Sequence, residues 1–233
     1  MIGLRRRALV ASLAMGIDVL LGDPPNAFHP VAWMGKLIGW AQARATTGGQ
    51  LLPLAQGGAI ALVGGTIVAG IARSLASLAR WLPGGAGLFA EAVLLKSTLA
   101  AKGLEAAAEQ VRMALSAGDL GEARRLVGWH LVSRDTSQLG PAQVAAATIE
   151  SVAENASDGI IGPLFYYALF GSPGALAYRF VNTCDSMLGY RDVAREWLGK
   201  IPAHLDDLVN LLPARLTALL LIGGSSDAQT VSS

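Results

Sequence analysis

The chain has 233 residues, of which 52% are hydrophobic and only 15% charged, with a mean hydropathy of +0.45. Soluble domains carry about 25% charged residues, so the composition argues against an ordinary water-soluble domain and for a surface that faces lipid. Lys and Arg number 18 against 17 Asp and Glu, which excludes the basic excess expected of a nucleic-acid partner. A single cysteine, Cys184, excludes an internal disulfide or a cysteine-based zinc site and reads as a small buried residue.

Arg5, Arg6 and Arg7 precede an apolar stretch, as in a secretion signal. Asp18 interrupts that stretch, however, and Gly22-Asp23-Pro24-Pro25 offers no small-residue cleavage site. The expectation is a retained first membrane segment with a cytoplasmic N-terminus. Asp23, Asn26 and His29 follow on a loop stiffened by Pro24, Pro25 and Pro30. Residues 45–72 carry no charge, and 51–72 form the clearest membrane-spanning candidate, with Gly57, Gly58, Gly64, Gly65 and Gly70 suited to close helix contact. A weaker candidate at 74–95 is broken by Arg80, Pro83 and Gly84.

The charged residues of 91–126 recur at helical spacing, so 91–150 reads as a helical segment outside the membrane. Gly118-Asp119 punctuates it as a C-cap followed by an N-cap. Two further apolar stretches, 159–178 and 208–223, contain breakers or charge (Pro163, Gly171, Pro173 and Gly174 in one, Pro213 and Arg215 in the other). They read as re-entrant or kinked segments lining a polar cavity. The polar residues 224–233 read as a disordered tail. The expected fold is all-α: a polytopic integral membrane protein with about four or five transmembrane or re-entrant helices, and residues 1–223 as a single domain.

The polar residues cluster. Glu150, Glu154 and Asp158 stand at i, i+4 and i+8, three carboxylates on one helix face. Their mutual repulsion calls for a cation opposite, and hard oxygen donors running into an apolar segment suit Mg²⁺, particularly Mg²⁺ on a phosphate. Residues 178–192 hold Arg179, Asn182, Asp185, Tyr190, Arg191 and Asp192, with guanidinium groups fit to clamp phosphate or carboxylate. Asp206, Asp207 and Asn210 form a further oxygen cluster, and Arg215 is a charge inside an apolar stretch. Arg134-Asp135-Thr136 reads as a local ion pair at a helix start. With neither a Ser-His-Asp nor a Cys-His set, this inventory suits metal-assisted chemistry on phosphorylated substrates.

The blocks GDPPNAFHPVAWMGKLI, SRDT, ESVAENASDGIIGPLFYYALFG, AYRFVNTCDSMLGYR and LDDLVNLLPARLTALL resemble, in order and spacing, the signatures of the adenosylcobinamide-phosphate synthase family. The resemblance runs from Asp18 to about Leu221. It implies a bacterial inner-membrane enzyme of cobalamin biosynthesis that joins aminopropanol or its phosphate to adenosylcobyric acid, with ATP as co-substrate and Mg²⁺ as cofactor. ATP chemistry asks the polar clusters to face the cytoplasm, and a complex with other corrinoid-pathway enzymes is a further expected association. The expected catalytic residues are Glu150, Glu154, Asp158 and Asp185, and the expected metal ligands Glu154, Asp158, Asp206 and Asp207. Substrate contacts are expected from Asp23, Asn26, His29, Arg134, Asn155, Arg179, Asn182, Tyr190, Arg191, Asn210 and Arg215.

The chain departs from the family pattern at Ser133, where Gly is usual, and at His204, where Arg is usual. Members also continue beyond the Pro-Ala-Arg block with a Ser-Pro-Asn type motif. The rival readings are a Mg²⁺-dependent membrane prenyltransferase, a signalling branch of the same superfamily, and a non-catalytic truncated member. The prenyltransferase reading lacks a second matched Asp-rich motif, and the signalling branch should lack most of the acidic and arginine blocks kept here.

Overall fold

A computed structural model describes residues 2–46, 48–132, 135–189 and 196–231, and every regular element among them is helical. In chain order these are α1 (Ile2–Leu21), α2 (Pro30–Gln42), α3 (Leu51–Ala79), α4 (Ala86–Lys96), α5 (Ala101–Ser116), α6 (Leu120–His130) and α7 (Pro141–Ala156). A π-turn (Ser157–Ile161), α8 (Gly162–Phe170), α9 (Ser172–Leu188) and α10 (Glu196–Val231) complete them.

Local chemistry sets the boundaries. Gly22, at φ +71°, ends α1 in the left-handed conformation that closes a helix, its N–H on the Asp18 carbonyl at 2.8 Å. His29 caps α2 by accepting the Val31 N–H at 3.2 Å, with Pro30 in the first turn. Gly118, at φ +76°, separates α5 from α6, and Asp119 caps α6 through the Glu122 N–H at 2.9 Å, as the Gly-Asp pair predicts.

Two cores result. The main one draws Val10, Ile38, Leu95, Phe180, Leu188 and their neighbours from α1–α4 and α8–α10, with α9 touching α2, α3, α4, α8 and α10. Close packing against α3 depends on its glycines. A Cβ at Gly57 would collide with the Leu198 carbonyl of α10, and one at Gly64 with the Phe180 ring of α9. The second core, built on Val111, Leu126, Val127 and Val144, joins α5, α6 and α7. Residues 91–96 of the expected extramembrane segment belong instead to α4, whose Ala92 and Leu95 lie in the main core.

Among the described residues one helix, α3, is long and apolar enough to cross a membrane by length and composition. The 74–95 candidate divides because α3 ends at Ala79 and the turn through Pro83 and Gly84 (φ +60°) precedes α4. Residues 159–178 break at Gly171, φ +72°, into the short α8 and the start of α9. Pro213 does not break 208–223: α10 runs through Pro202 and Pro213 and on to Val231, across the expected disordered tail. A helix already formed extends one residue at a time at little cost, even over polar sequence.

α1 and α4 lie side by side and run in the same direction. At one end Arg6 donates to Glu91 Oε2 from Nε at 3.2 Å and Nη2 at 2.9 Å. At the other, the buried Lys96 ammonium lies 3.2 Å from Asp18 Oδ1, while Asp18 Oδ2 accepts the Ala101 and Lys102 N–H groups at the start of α5. Asp18 is 1% exposed and Lys96 5%, so each charge depends on the other. Asp18→Ala is expected to lower the stability of the detergent-solubilised protein by about 3–5 kcal/mol, the usual effect of breaking a buried pair. Thermal unfolding followed by circular dichroism measures it.

Candidate active site

The π-turn sits where α7, carrying Glu150 and Glu154, gives way to the apolar α8. Single π-turns insert one extra residue into a helix and gather at functional sites, and here the turn carries Asp158. Asp158 Oδ2 accepts from Asn182 Nδ2 of α9 at 3.1 Å, and Oδ1 from Asn210 Nδ2 of α10 at 2.5 Å. Asn210 Oδ1 in turn accepts the hydroxyls of Ser157 at 3.0 Å and Tyr178 at 3.2 Å. Arg179 Nη1 donates to Asn182 Oδ1 at 3.2 Å and to the Asp158 carbonyl at 3.3 Å. Three segments distant in sequence are thus tied at one carboxylate.

In front of it opens a cavity of about 570 Å³ faced by Glu150, Glu154, Asn155, Asp158, Asn182 and Asp185. All four expected catalytic carboxylates therefore share one space. Burial, then repulsion from Asp158, Glu150 and Asp185, raises the Glu154 carboxyl above its ordinary range. Asp185 is raised by burial and by Asp207 and Asp158. Asp158 is raised by burial, against the lowering influence of Asn182, Asn210 and Arg179. Behind the cavity, Asp206 is 8% exposed and its Oδ1 has no hydrogen-bond partner. Burial and the charges of Asp158 and Asp185 push it up to about 7.

Such a set wants a cation. Among the described residues no three His, Cys, Asp or Glu side chains converge into a cage for a metal ion. Mg²⁺ keeps several waters and needs only one or two carboxylates plus substrate phosphate, and Glu154 and Asp158, both on the cavity, are the carboxylates that could hold it. The double aspartate divides, Asp206 turned inward and Asp207 exposed, as adjacent helical residues must.

Other expected residues fall in three groups. Asp23 accepts from His29 Nε2 at 3.2 Å and Lys96 Nζ at 2.5 Å. The His29 hydrogen bond, helped by Lys96, lowers its carboxyl to about 2. This loop borders the acid face, since Asp23 lies within electrostatic range of Arg179 and the Ala100 N–H donates to the Gly159 carbonyl of the π-turn at 3.0 Å. Asn210 and Arg179 stand behind Asp158 as supports rather than on the cavity wall. Arg215 is not brought in: it is exposed on α10 and donates to the Leu211 carbonyl of its own helix at 2.8 Å. The Asn26 side chain is exposed, and Asn155, on the cavity, donates to the Ser151 carbonyl at 2.8 Å. Asp135 bonds the Ser137 N–H and hydroxyl in a turn. Arg134, Tyr190 and Arg191 lie outside the described residues. Cys184 is buried, its thiol pushed up to about 12 by burial first, which excludes it as a nucleophile.

Asp18, Lys96, Ser157 and Tyr178 were missed as supporting residues. The signal for the first two was there: an acid and a base, each alone inside an apolar helical run, must find a partner.

A carboxyl raised by the fold withholds stability as pH climbs from its unfolded value, near 4, to about 7 for Asp206. Asp206→Asn is therefore expected to stabilise the metal-free protein, by about 1–3 kcal/mol above neutral pH. The gain should shrink steadily as pH falls toward 4, which thermal unfolding across that range measures.

Comparison with known proteins gives the family. A sequence model described as CobD/CbiB protein matches residues 11–232. The cobalamin biosynthesis protein CobD of Klebsiella pneumoniae is 43% identical over 208 residues, covering 88% of this chain and 65% of its own length. The cobalamin biosynthesis protein CbiB of Salmonella typhi is 42% identical over 212 residues, covering 90% of this chain and 66% of its own. CobD of Dehalococcoides mccartyi is 41% identical over 220 residues, covering 93% and 70%. The chain thus spans about two thirds of the length of these relatives. No solved structure matches. On a match that runs through nearly every residue, including the acid face and its supports, the chain belongs to the CobD/CbiB family of cobalamin biosynthesis proteins.

Proposed function

We propose that this protein forms the amide bond its sequence blocks imply, joining aminopropanol or aminopropanol phosphate to a propionate of adenosylcobyric acid at the expense of ATP. The observation that carries the reading is the cavity on which Glu150, Glu154, Asp158 and Asp185 converge. The names of the relatives support a corrinoid substrate.

A carboxylate becomes an amide only after activation. A propionate oxygen attacks the γ-phosphorus of ATP and ADP leaves, giving an acyl phosphate. The amine nitrogen then attacks the acyl carbon, phosphate departs with its bridging oxygen, and nitrogen loses a proton. Asp185, its carboxyl raised by burial and by the charges of Asp207 and Asp158, is placed to take that proton. Mg²⁺ held by Glu154 and Asp158 would supply charge neutralisation for the phosphate oxygens. Asn182 and Asn210 fix the Asp158 carboxylate in one orientation, so that no reorganisation is needed when charge shifts. The loop with Asp23 and His29, tied to Lys96, lies near the π-turn and is suited to the aminopropanol arm.

We place the protein in a membrane. α3 supports this, as do the outward apolar side chains of α1 (Leu9, Leu20), α3 (Leu62, Ile67, Ile71) and residues 208–223 of α10 (Leu212, Leu219), each more than half exposed. The parallel α1–α4 pair bears on orientation. Arg6 and Asp18 lie about 18 Å apart along α1, with Asp18 toward the end beside the acid face. The N-terminal arginines and the acid face lie toward opposite ends of this helix, whereas the expected topology puts both in the cytoplasm. ATP supply favours a cytoplasmic acid face. So does the positive-inside tendency, because Lys36, Arg44, Lys96, Lys102 and the arginines of α5 and α6 lie toward that end and outnumber Arg5–Arg7, Arg73 and Arg80.

Two outcomes follow. In a strain lacking the synthase, this chain should restore growth that depends on corrinoid made from cobyric acid, with cobinamide feeding as the bypass control. Asp158→Asn should abolish rescue, and Asn182→Ala, which removes a support, should lower turnover about 10–100-fold. Failure of the wild-type chain with working controls, or full activity of Asp158→Asn, overturns the reading. Separately, a cysteine placed at Leu4 should react with a membrane-impermeant maleimide in intact cells, and one at Glu109 only after permeabilisation. The reverse pattern overturns the orientation.

A further inference from the structure

At the end of the bundle away from the acid face, a second cavity, of about 280 Å³, opens between α1, α3 and the α8–α9 turn. Its charged and polar lining is Arg6, Arg7, Arg73, Arg80, Glu91 and Ser172. Four guanidinium groups thus face one carboxylate, and Glu91 is already engaged by Arg6 through Oε2 and by the Tyr167 hydroxyl through Oε1 at 3.0 Å. Arg7 donates to the Ala168 and Leu169 carbonyls at the end of α8, at 2.6 and 3.2 Å, which occupies donors without neutralising its charge. Arg80 reaches only the Ser77 hydroxyl, at 3.0 Å. Arg73 makes no hydrogen bond or ion pair with the described residues.

Ser172 gives independent testimony. It is 1% exposed, lines the cavity, and its Oγ has no hydrogen-bond partner. A buried hydroxyl left unpaired costs about 1–3 kcal/mol, a cost that a bound acceptor removes. Ser172 also opens α9, a helix of 17 residues, whose N-terminal N–H groups and dipole favour negative charge. Gly171, at φ +72° and ψ −161°, makes the turn that delivers this helix end to the cavity.

We infer that this cavity is a binding site for a phosphate-bearing anion, and that its setting selects the phosphodiester of an anionic phospholipid. α3 ends at Ala79, directly before Arg80 and Trp81. Trp81 is 87% exposed and Leu78 65%, the arrangement of an apolar helix meeting the headgroup layer, where Trp concentrates. Basic pockets between apolar helices at that depth take lipid headgroups. Soluble phosphate shares the chemistry but gains nothing from the apolar surface beside the pocket.

The test uses the full chain in detergent, with dioleoylphosphatidylglycerol, dioleoylphosphatidylcholine or inorganic phosphate added at equal phosphorus. Native mass spectrometry counts retained lipid, and thermal unfolding reads its effect. Phosphatidylglycerol should be retained at one molecule per chain and raise the Tm, and phosphatidylcholine should not. Arg73→Gln, which disturbs no contact within the protein, should weaken phosphatidylglycerol about tenfold, the loss of one charge-assisted hydrogen bond. Ser172→Ala should weaken it more mildly, and Asp158→Asn, at the other end, not at all. Stabilisation by inorganic phosphate alone, lost in Arg73→Gln, keeps the anion site and overturns its lipid source. Equal retention of the two lipids, or phosphatidylglycerol binding unchanged in both Arg73→Gln and Ser172→Ala, overturns the inference.

Discussion

The carboxylate of Asp158 is the knot of the structure. Two carboxamides, from α9 and α10, meet it at a π-turn, and their own remaining oxygens are taken by Arg179, Ser157 and Tyr178. The network fixes a half-buried carboxylate from both sides, the way polar groups in an interior define one arrangement rather than several. The neighbours are less comfortable. Glu154, Asp185 and Asp206 all hold their protons more tightly than free carboxyls, with burial the first cause in each case. The fold has assembled negative charge where burial makes it costly, and carboxyls perturbed in this way gather at functional sites.

How that site is held explains why the helices lie as they do. α9 is the shared partner: its N-terminal turn reaches the arginine cavity, its middle carries Phe180 against Gly64, and its C-terminal half supplies Asn182 and Asp185. α5, α6 and α7 have a small core of their own, so Glu150 and Glu154 reach the cavity from a unit distinct from the helices that hold Asp158. The acid cavity lies where the two units meet, a common place for a substrate to enter.

Much of this was legible in the sequence because it is encoded locally. The i, i+4, i+8 spacing put three carboxylates on one face, Gly118-Asp119 marked a helix boundary, and the uncharged run before Arg73 marked the long α3. What was not legible depends on tertiary contact. Nothing in the spacing tells that Asp18 must find Lys96, that Asn210 and Arg179 support Asp158 from behind, or that Arg215 points away. Breakers were weighed too heavily in one place and correctly in others. Pro83-Gly84 and Gly171 end helices because Gly84 and Gly171 take positive φ, whereas Pro202 and Pro213 sit inside α10, whose long body carries the helix past them. The pairing of α1 with α4 adds what separate readings of the arginines and the acids could not: Arg6 and Asp18 lie toward opposite ends of one helix.

The glycine seam along α3 sets the thermodynamic character of the bundle. Gly57 and Gly64 let backbone and ring come into direct contact, and contacts of that kind are dispersion and shape, not the release of water. In a bilayer the apolar faces of α1, α3 and α10 stay in an apolar medium whether or not the helices are packed together. Separating the helices within lipid would therefore expose little apolar surface to water, and the heat-capacity change that curves the stability of soluble proteins would be small. The bundle then keeps its cohesion on cooling, where a water-driven core loses its own.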